Sequence, residues 1–151
     1  MKQVVLTFLC LGALSCGNSK QATFPRDFKI ELYSYGGIAG GATGITVTGD
    51  GWARFWSGRT ANLRTILDSV EVDLQHLARI DSIAVSEEVT AFHSESIGDM
   101  TTVLIVQRGG EIHRVSFVGE QVPTLFPQPV KNLMSELANI HPPKTNIERK
   151  P

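Results

Sequence analysis

The chain has 151 residues, 42% hydrophobic and 19% charged, with 14 basic residues against 15 acidic ones. That near-neutral balance excludes a surface that gathers nucleic acid or anionic headgroups by charge alone. With only two cysteines, Cys10 and Cys16, a disulfide-dense secreted scaffold is excluded too, and the length fits one domain with a real hydrophobic core.

At the N-terminus, Lys2 precedes a short apolar run from Val4 to Leu14 that ends in small residues. A charged start, a short apolar stretch and small residues before a cut describe a secretory signal, since a membrane span needs about 20 apolar residues. The sequence Ala13-Leu14-Ser15-Cys16 resembles the lipobox of bacterial lipoproteins. That resemblance implies removal of residues 1–15 and a thioether-lipidated, acylated Cys16 as the first residue. Gly17 after the cysteine resembles lipoproteins released to the outer membrane in cells with two membranes. Processing would leave 136 of the 151 residues, and losing Lys2 would take the formal charge from −1 to −2. It would also leave the folded part without a free thiol, so no cysteine-based nucleophile, disulfide or metal site is expected.

Residues 16–26 are mostly polar and read as a tether, reaching at most about 35 Å when extended. Phe28, Ile30 and Leu32 alternate with Lys29, Glu31 and Tyr33, the period of a half-buried strand. A glycine-rich stretch, Gly36 to Gly44, follows as a wide turn or bulge. Ile45–Thr48 and Trp52–Trp56 then flank Gly49-Asp50-Gly51 as a hairpin. Residues 57–72 fit either an irregular loop or a further strand. Behind Asp73, a plausible N-cap, Leu74, Leu77, Ile80, Ile83 and Ala84 recur at helical spacing, fading near Glu87. Residues 100–107 and 111–118 form a second hairpin about Gly109-Gly110. Val130, Leu133, Met134, Leu137 and Ala138 make the stripe of a second helix, entered after Pro127 and Pro129 and stopped by Pro142-Pro143. The order predicts an α+β fold: an antiparallel sheet of about five strands with two helices on one face, in a single domain spanning residues 27–141. Residues 142–151 read as a flexible tail.

No catalytic signature stands out. The glycines lack the Lys and Ser/Thr of a phosphate-binding loop, since Gly44 is followed by Ile45, and they lead into a strand rather than opening a helix. His76, His93, His113 and His141 are too dispersed for a metal helix. Ser94, Ser96 and Asp99 near His93 read as a polar loop, and no nucleophile elbow occurs. The expectation is a protein without enzymatic activity, metal or small-molecule cofactor. The residues that could meet a partner are Gly36, Gly37, Ile38, Ala39 and Gly40 in the glycine stretch, together with Trp52 and Trp56. These tryptophans share one strand face with Arg54, and aromatic residues with Arg are the composition of an interface anchor, although core packing explains most such clusters.

Several local patterns coincide: Ile30-Glu31-Leu32 leading to Gly36-Gly37-Ile38-Ala39-Gly40, Gly98-Asp99 before Met100-Thr101-Thr102-Val103-Leu104, and Val122-Pro123 before the leucine helix. Together, over residues 28–140, they resemble the emfourin-like inhibitors of thermolysin-type metallopeptidases. The resemblance implies a binding domain whose partner is a secreted metallopeptidase, with the glycine stretch as the suspected contact; the lipobox departs from that family's soluble inhibitors and would anchor the domain to a membrane. The other reading kept open is an envelope accessory lipoprotein that docks on a neighbouring assembly.

Overall fold

The computed structural model describes residues 24–38 and 40–142, and the elements and counts below are those of the described residues. Cys16, the expected signal segment, most of the expected tether, Ala39 and the tail from residue 143 lie outside the described residues.

The chain runs β1 (Lys29–Gly36), β2 (Gly41–Thr48), β3 (Trp52–Gly58), β4 (Arg64–Glu71), α1 (Leu74–Ala84), α2 (Glu87–Thr90), β5 (Ser94–Glu95), β6 (Met100–Arg108), β7 (Glu111–Val118) and α3 (Gln128–Ala138). All seven strands join one sheet in the order β4-β3-β2-β1-β6-β7-β5, with β1 at its centre. The fold expected from sequence, an α+β fold with about five antiparallel strands and two helices, is therefore corrected: the protein is mostly sheet, seven strands with three helices. The sheet is also mixed, because Ser94 and Glu95 run parallel to Val115 and Ser116 of β7. Two residues in β5 and four in α2 are too few to show a period, so neither could emerge from sequence spacing. β4 occupies the stretch left open between loop and strand, and a register shift disturbs its alternation: Phe55 faces Asp68 while Trp56 faces Ile66, leaving Leu67 unmatched.

One face of the sheet carries the main core. Ile30, Ile45, Val47, Ala53, Leu104, Val106, Val115 and Phe117 point to it from the strands, and Leu77, Ile80, Val89, Val130, Leu133 and Leu137 meet them from all three helices. Asp73 caps α1, its carboxylate accepting from the amides of Gln75 (3.0 Å) and His76 (2.9 Å). His76 Nε2 and Arg79 reach Glu136 of α3 at 2.9 and 3.5 Å, tying the two long helices together.

The two ends of the sheet are built differently. At the end where β1 begins, the Asp27 carboxylate accepts hydrogen bonds from Gly109 (3.1 Å) and Gly110 (2.6 Å) in the β6–β7 turn, where both glycines have positive φ. Gly49 donates to the Phe28 carbonyl at 3.1 Å, so the entering chain is fastened to both hairpins. At the opposite end β1 runs into the glycine turn, where Gly37 donates to the Asp99 carbonyl at 2.6 Å.

Candidate functional site

Among the described residues no helix covers the other face of the sheet, and it closes itself with aromatic rings and one buried ion pair. Alternation along β1 sends Glu31, Tyr33 and Tyr35 to this face, and alternation along β3 adds Trp52, Arg54 and Trp56. Tyr33, Ala42, Trp56 and Val103 form a small second core, with Tyr35, Ala61 and Ile105 packed against it. The Tyr33 ring lies 5.6 Å from Trp56 and 6.2 Å from Tyr35. Gly44 makes this packing sterically feasible. It lies on β2, between the strands that carry the two rings, and a Cβ there would sit 2.4 Å from Tyr33 Cβ and 2.9 Å from Trp56 Cζ2.

Beside these rings, Glu31 is the one charged residue that is fully buried among the described residues. Its carboxylate accepts from Arg64 Nη1 at 2.8 Å and from Thr46 Oγ1 at 3.2 Å, with Lys29 Nζ at 3.8 Å. Thr46 in turn accepts from Trp56 Nε1 at 3.0 Å, and the Arg64 guanidinium lies 5.0 Å above the Trp56 ring. Every polar atom that this face buries in the network is thereby matched, as burial requires.

Above the central strand the face opens into a basin of about 450 Å³. Tyr33 and Tyr35 form its floor, and Gly36, Gly40 and Gly41 of the glycine turn form its upper rim. Arg59 with Thr60 and Ala61 walls it from the β3–β4 turn, and Arg114 walls it from β7. β3 and β7 each lie two places from β1, on opposite sides, so the two guanidiniums approach the tyrosines from opposite directions. Burial pushes the Tyr33 phenol above its ordinary value, with the Arg114 charge pulling partly back. The phenol therefore stays protonated and can donate a hydrogen bond through the neutral range.

The residues singled out from sequence separate into two groups. Gly36 and Gly40 border the basin, Gly37 links the turn to Asp99, and Ile38 stands wholly in solvent beside them. Gly36 is bound to its place, since its φ is +109° and a Cβ would fall 2.0 Å from the Asp99 carbonyl oxygen. Trp56 is 1% exposed and supports the floor from below, whereas Trp52 is 40% exposed and stands at the far end of β3 beside the β2–β3 turn. Trp52 is thus not part of the basin. Arg54, on the same strand face, is drawn to that turn as well, donating to Thr48 Oγ1 (2.7 Å) and Asp50 Oδ2 (2.9 Å).

Tyr35, Arg59 and Arg114 were not found by sequence reasoning. Tyr33 and Tyr35 do carry a sequence signal, because two tyrosines two apart on a strand share a face. Arg59 and Arg114 carry none, since only the sheet order brings them to the same basin. The four histidines stay dispersed, and among the described residues no three His, Cys, Asp or Glu side chains gather to hold a metal ion. On the helix side, a cleft of about 370 Å³ between the sheet and the end of α3 is mainly apolar, with Leu32, Phe55, Leu67 and Ile140 among its walls.

No protein-family model matches the chain, and no curated protein matches it. The chemistry of the bare face itself is therefore what bears on function.

Proposed function

We propose that this chain is a bacterial lipoprotein whose non-catalytic domain binds a protein partner through the bare sheet face, at the basin floored by Tyr33 and Tyr35. The observation that carries this reading is the make-up of that basin. Tyr and Arg are among the side chains most enriched in binding hot spots, and here two of each stand together with glycine backbone on a face that no described helix covers. Rigid rings held by a second small core lose little freedom on contact, which favours binding.

Lipidation of Cys16 would hold the basin near the membrane without blocking it. The chain enters at the Asp27 end of β1, and the glycine turn lies at the other end of this eight-residue strand, about 26 Å away. A membrane anchor at Cys16, joined through a tether of up to about 35 Å, would leave the basin and its glycine rim free to face away from the membrane. Anchorage in the outer membrane, where the cell has one, follows from Gly17. A Cys16→Ser variant should remain unprocessed and unlipidated, and its normal maturation would contradict the anchor.

Among secreted proteins, a thermolysin-type metallopeptidase is the partner that the emfourin-like pattern favours. The test uses the full-length chain in its native membrane, crosslinked in wild-type and Tyr35→Ala form, with adducts identified by mass spectrometry. A defined adduct lost in Tyr35→Ala supports binding at the basin, and a peptidase in that adduct supports inhibition. An adduct with an envelope assembly would instead support the accessory role, and adducts indifferent to Tyr35 would refute binding at this face.

A further inference from the structure

We propose that the basin recognises an acidic peptide segment of its partner, with separate carboxylates gripped by Arg59 and Arg114 and the intervening chain lying on Tyr33 and Tyr35. This rests on the reading of the basin as the partner site and adds the chemistry of the occupant.

The charge inventory of the bare face leads there. Its buried carboxylate, Glu31, is already matched by Arg64 and Lys29. Arg54 is matched by Asp50. Among the described residues, Arg59 and Arg114 form no ion pair with any carboxylate, and no acidic side chain lines the basin they enclose. Two uncompensated guanidiniums over an apolar floor make a local positive potential in a chain whose overall charge is slightly negative. Arg presents a planar fork that suits carboxylate oxygens, and such charge-assisted pairs are roughly twice as strong as neutral ones.

The spacing of the arginines selects among anions. Arg59 follows the end of β3 and Arg114 lies on β7, four strand intervals away or about 19 Å across the sheet, and the side chains line opposite walls of the basin. A single compact anion would satisfy one fork, whereas an extended segment with several carboxylates reaches both. The tyrosine floor between them offers faces for aliphatic or aromatic stems and phenol hydroxyls for a backbone carbonyl.

The experiment titrates the full-length chain in detergent micelles with blocked hexaglutamate, blocked hexaglutamine and a hexathymidylate, following tyrosine and tryptophan emission in a Trp52→Phe background, which leaves Trp56 as the one tryptophan. Hexaglutamate should bind at least tenfold more tightly than hexaglutamine, weaken with added salt, and weaken about tenfold in Arg59→Gln and again in Arg114→Gln. Arg114→Lys should lie between wild type and Arg114→Gln, because charge is kept and the fork is lost. Unchanged circular dichroism would show that each variant folds. Equal binding of the two peptides, no binding of either, or tighter binding of hexathymidylate overturns the assignment to carboxylates. Should the Tyr35-dependent adduct persist in the Arg59→Gln/Arg114→Gln double variant, the acidic occupant fails while the basin reading stands. Should adducts ignore Tyr35 as well, both fail.

Discussion

The two faces of this sheet solve the same burial problem by different means. On the helix side, aliphatic and phenylalanine side chains from the strands and three helices seal each other by apolar packing. On the bare side no second layer is present among the described residues, and there Tyr33 and Trp56 cover the backbone while a chain of polar contacts from Trp56 through Thr46 and Glu31 to Arg64 closes the rest. The first solution leaves mainly apolar surface, as in the cleft beside α3, with few polar groups to recognise. The second keeps rings, hydroxyls and guanidiniums near solvent in fixed positions, which suits a binding surface.

Substitutions can break that comparison, and the largest effect is expected where ring and support coincide. Trp56→Ala should cost about 3–5 kcal/mol in denaturant unfolding, because it removes a fully buried ring and strands Thr46 and Arg64. Leu133→Ala, on the helix side, should cost about 2–5 kcal/mol through its cavity alone and leave the basin's binding unchanged. Gly44→Ala should cost roughly 1–3 kcal/mol as Tyr33 and Trp56 are forced apart, and unlike Leu133→Ala it should also alter the basin floor. Trp52→Ala should fall within about 0.5 kcal/mol of wild type, which would separate two tryptophans of the same strand face that look equivalent in sequence.

A smaller, pH-dependent difference belongs to the end of the sheet where the chain enters. Hydrogen bonds from the Gly110 and Gly109 amides hold the Asp27 carboxyl below its ordinary value of 3.8, against a smaller opposing effect of burial. The folded state therefore binds that proton less readily than the unfolded chain. The resulting stability is present above the unfolded value and is lost as pH falls through the lower folded value. Melting temperature measured from neutral pH into this acid range should fall less steeply in Asp27→Asn than in wild type.

Much of the sheet's centre is legible in the sequence, because its strands alternate and its hairpins carry Gly49-Asp50-Gly51 and Gly109-Gly110. β2 begins at Gly41, earlier than the apolar run at Ile45, because Ala42 and Gly44 face the aromatic side, where small residues are needed. The stripe from Val130 to Ala138 marks α3, and Asp73 marks the start of α1. β4 is hidden because Leu67 breaks its alternation and five of its eight residues are exposed at the edge of the sheet. The site divides in the same manner. Gly36, Gly40 and Trp56 are visible as unusual residues, while Arg59 and Arg114 become partners only once β3 and β7 are ordered on either side of β1. Spacing along the chain carries local structure, and cross-strand neighbourhoods of distant segments are absent from it.

The division between the faces is tested most directly by placing a photocrosslinking amino acid in the full-length chain, in living cells, at Tyr35 on the bare face and at Lys131 on α3. Specific protein adducts at position 35 and none at position 131 are the result expected of a bare-face binding protein. Adducts at position 131 with none at position 35 would contradict it and move recognition to the helices.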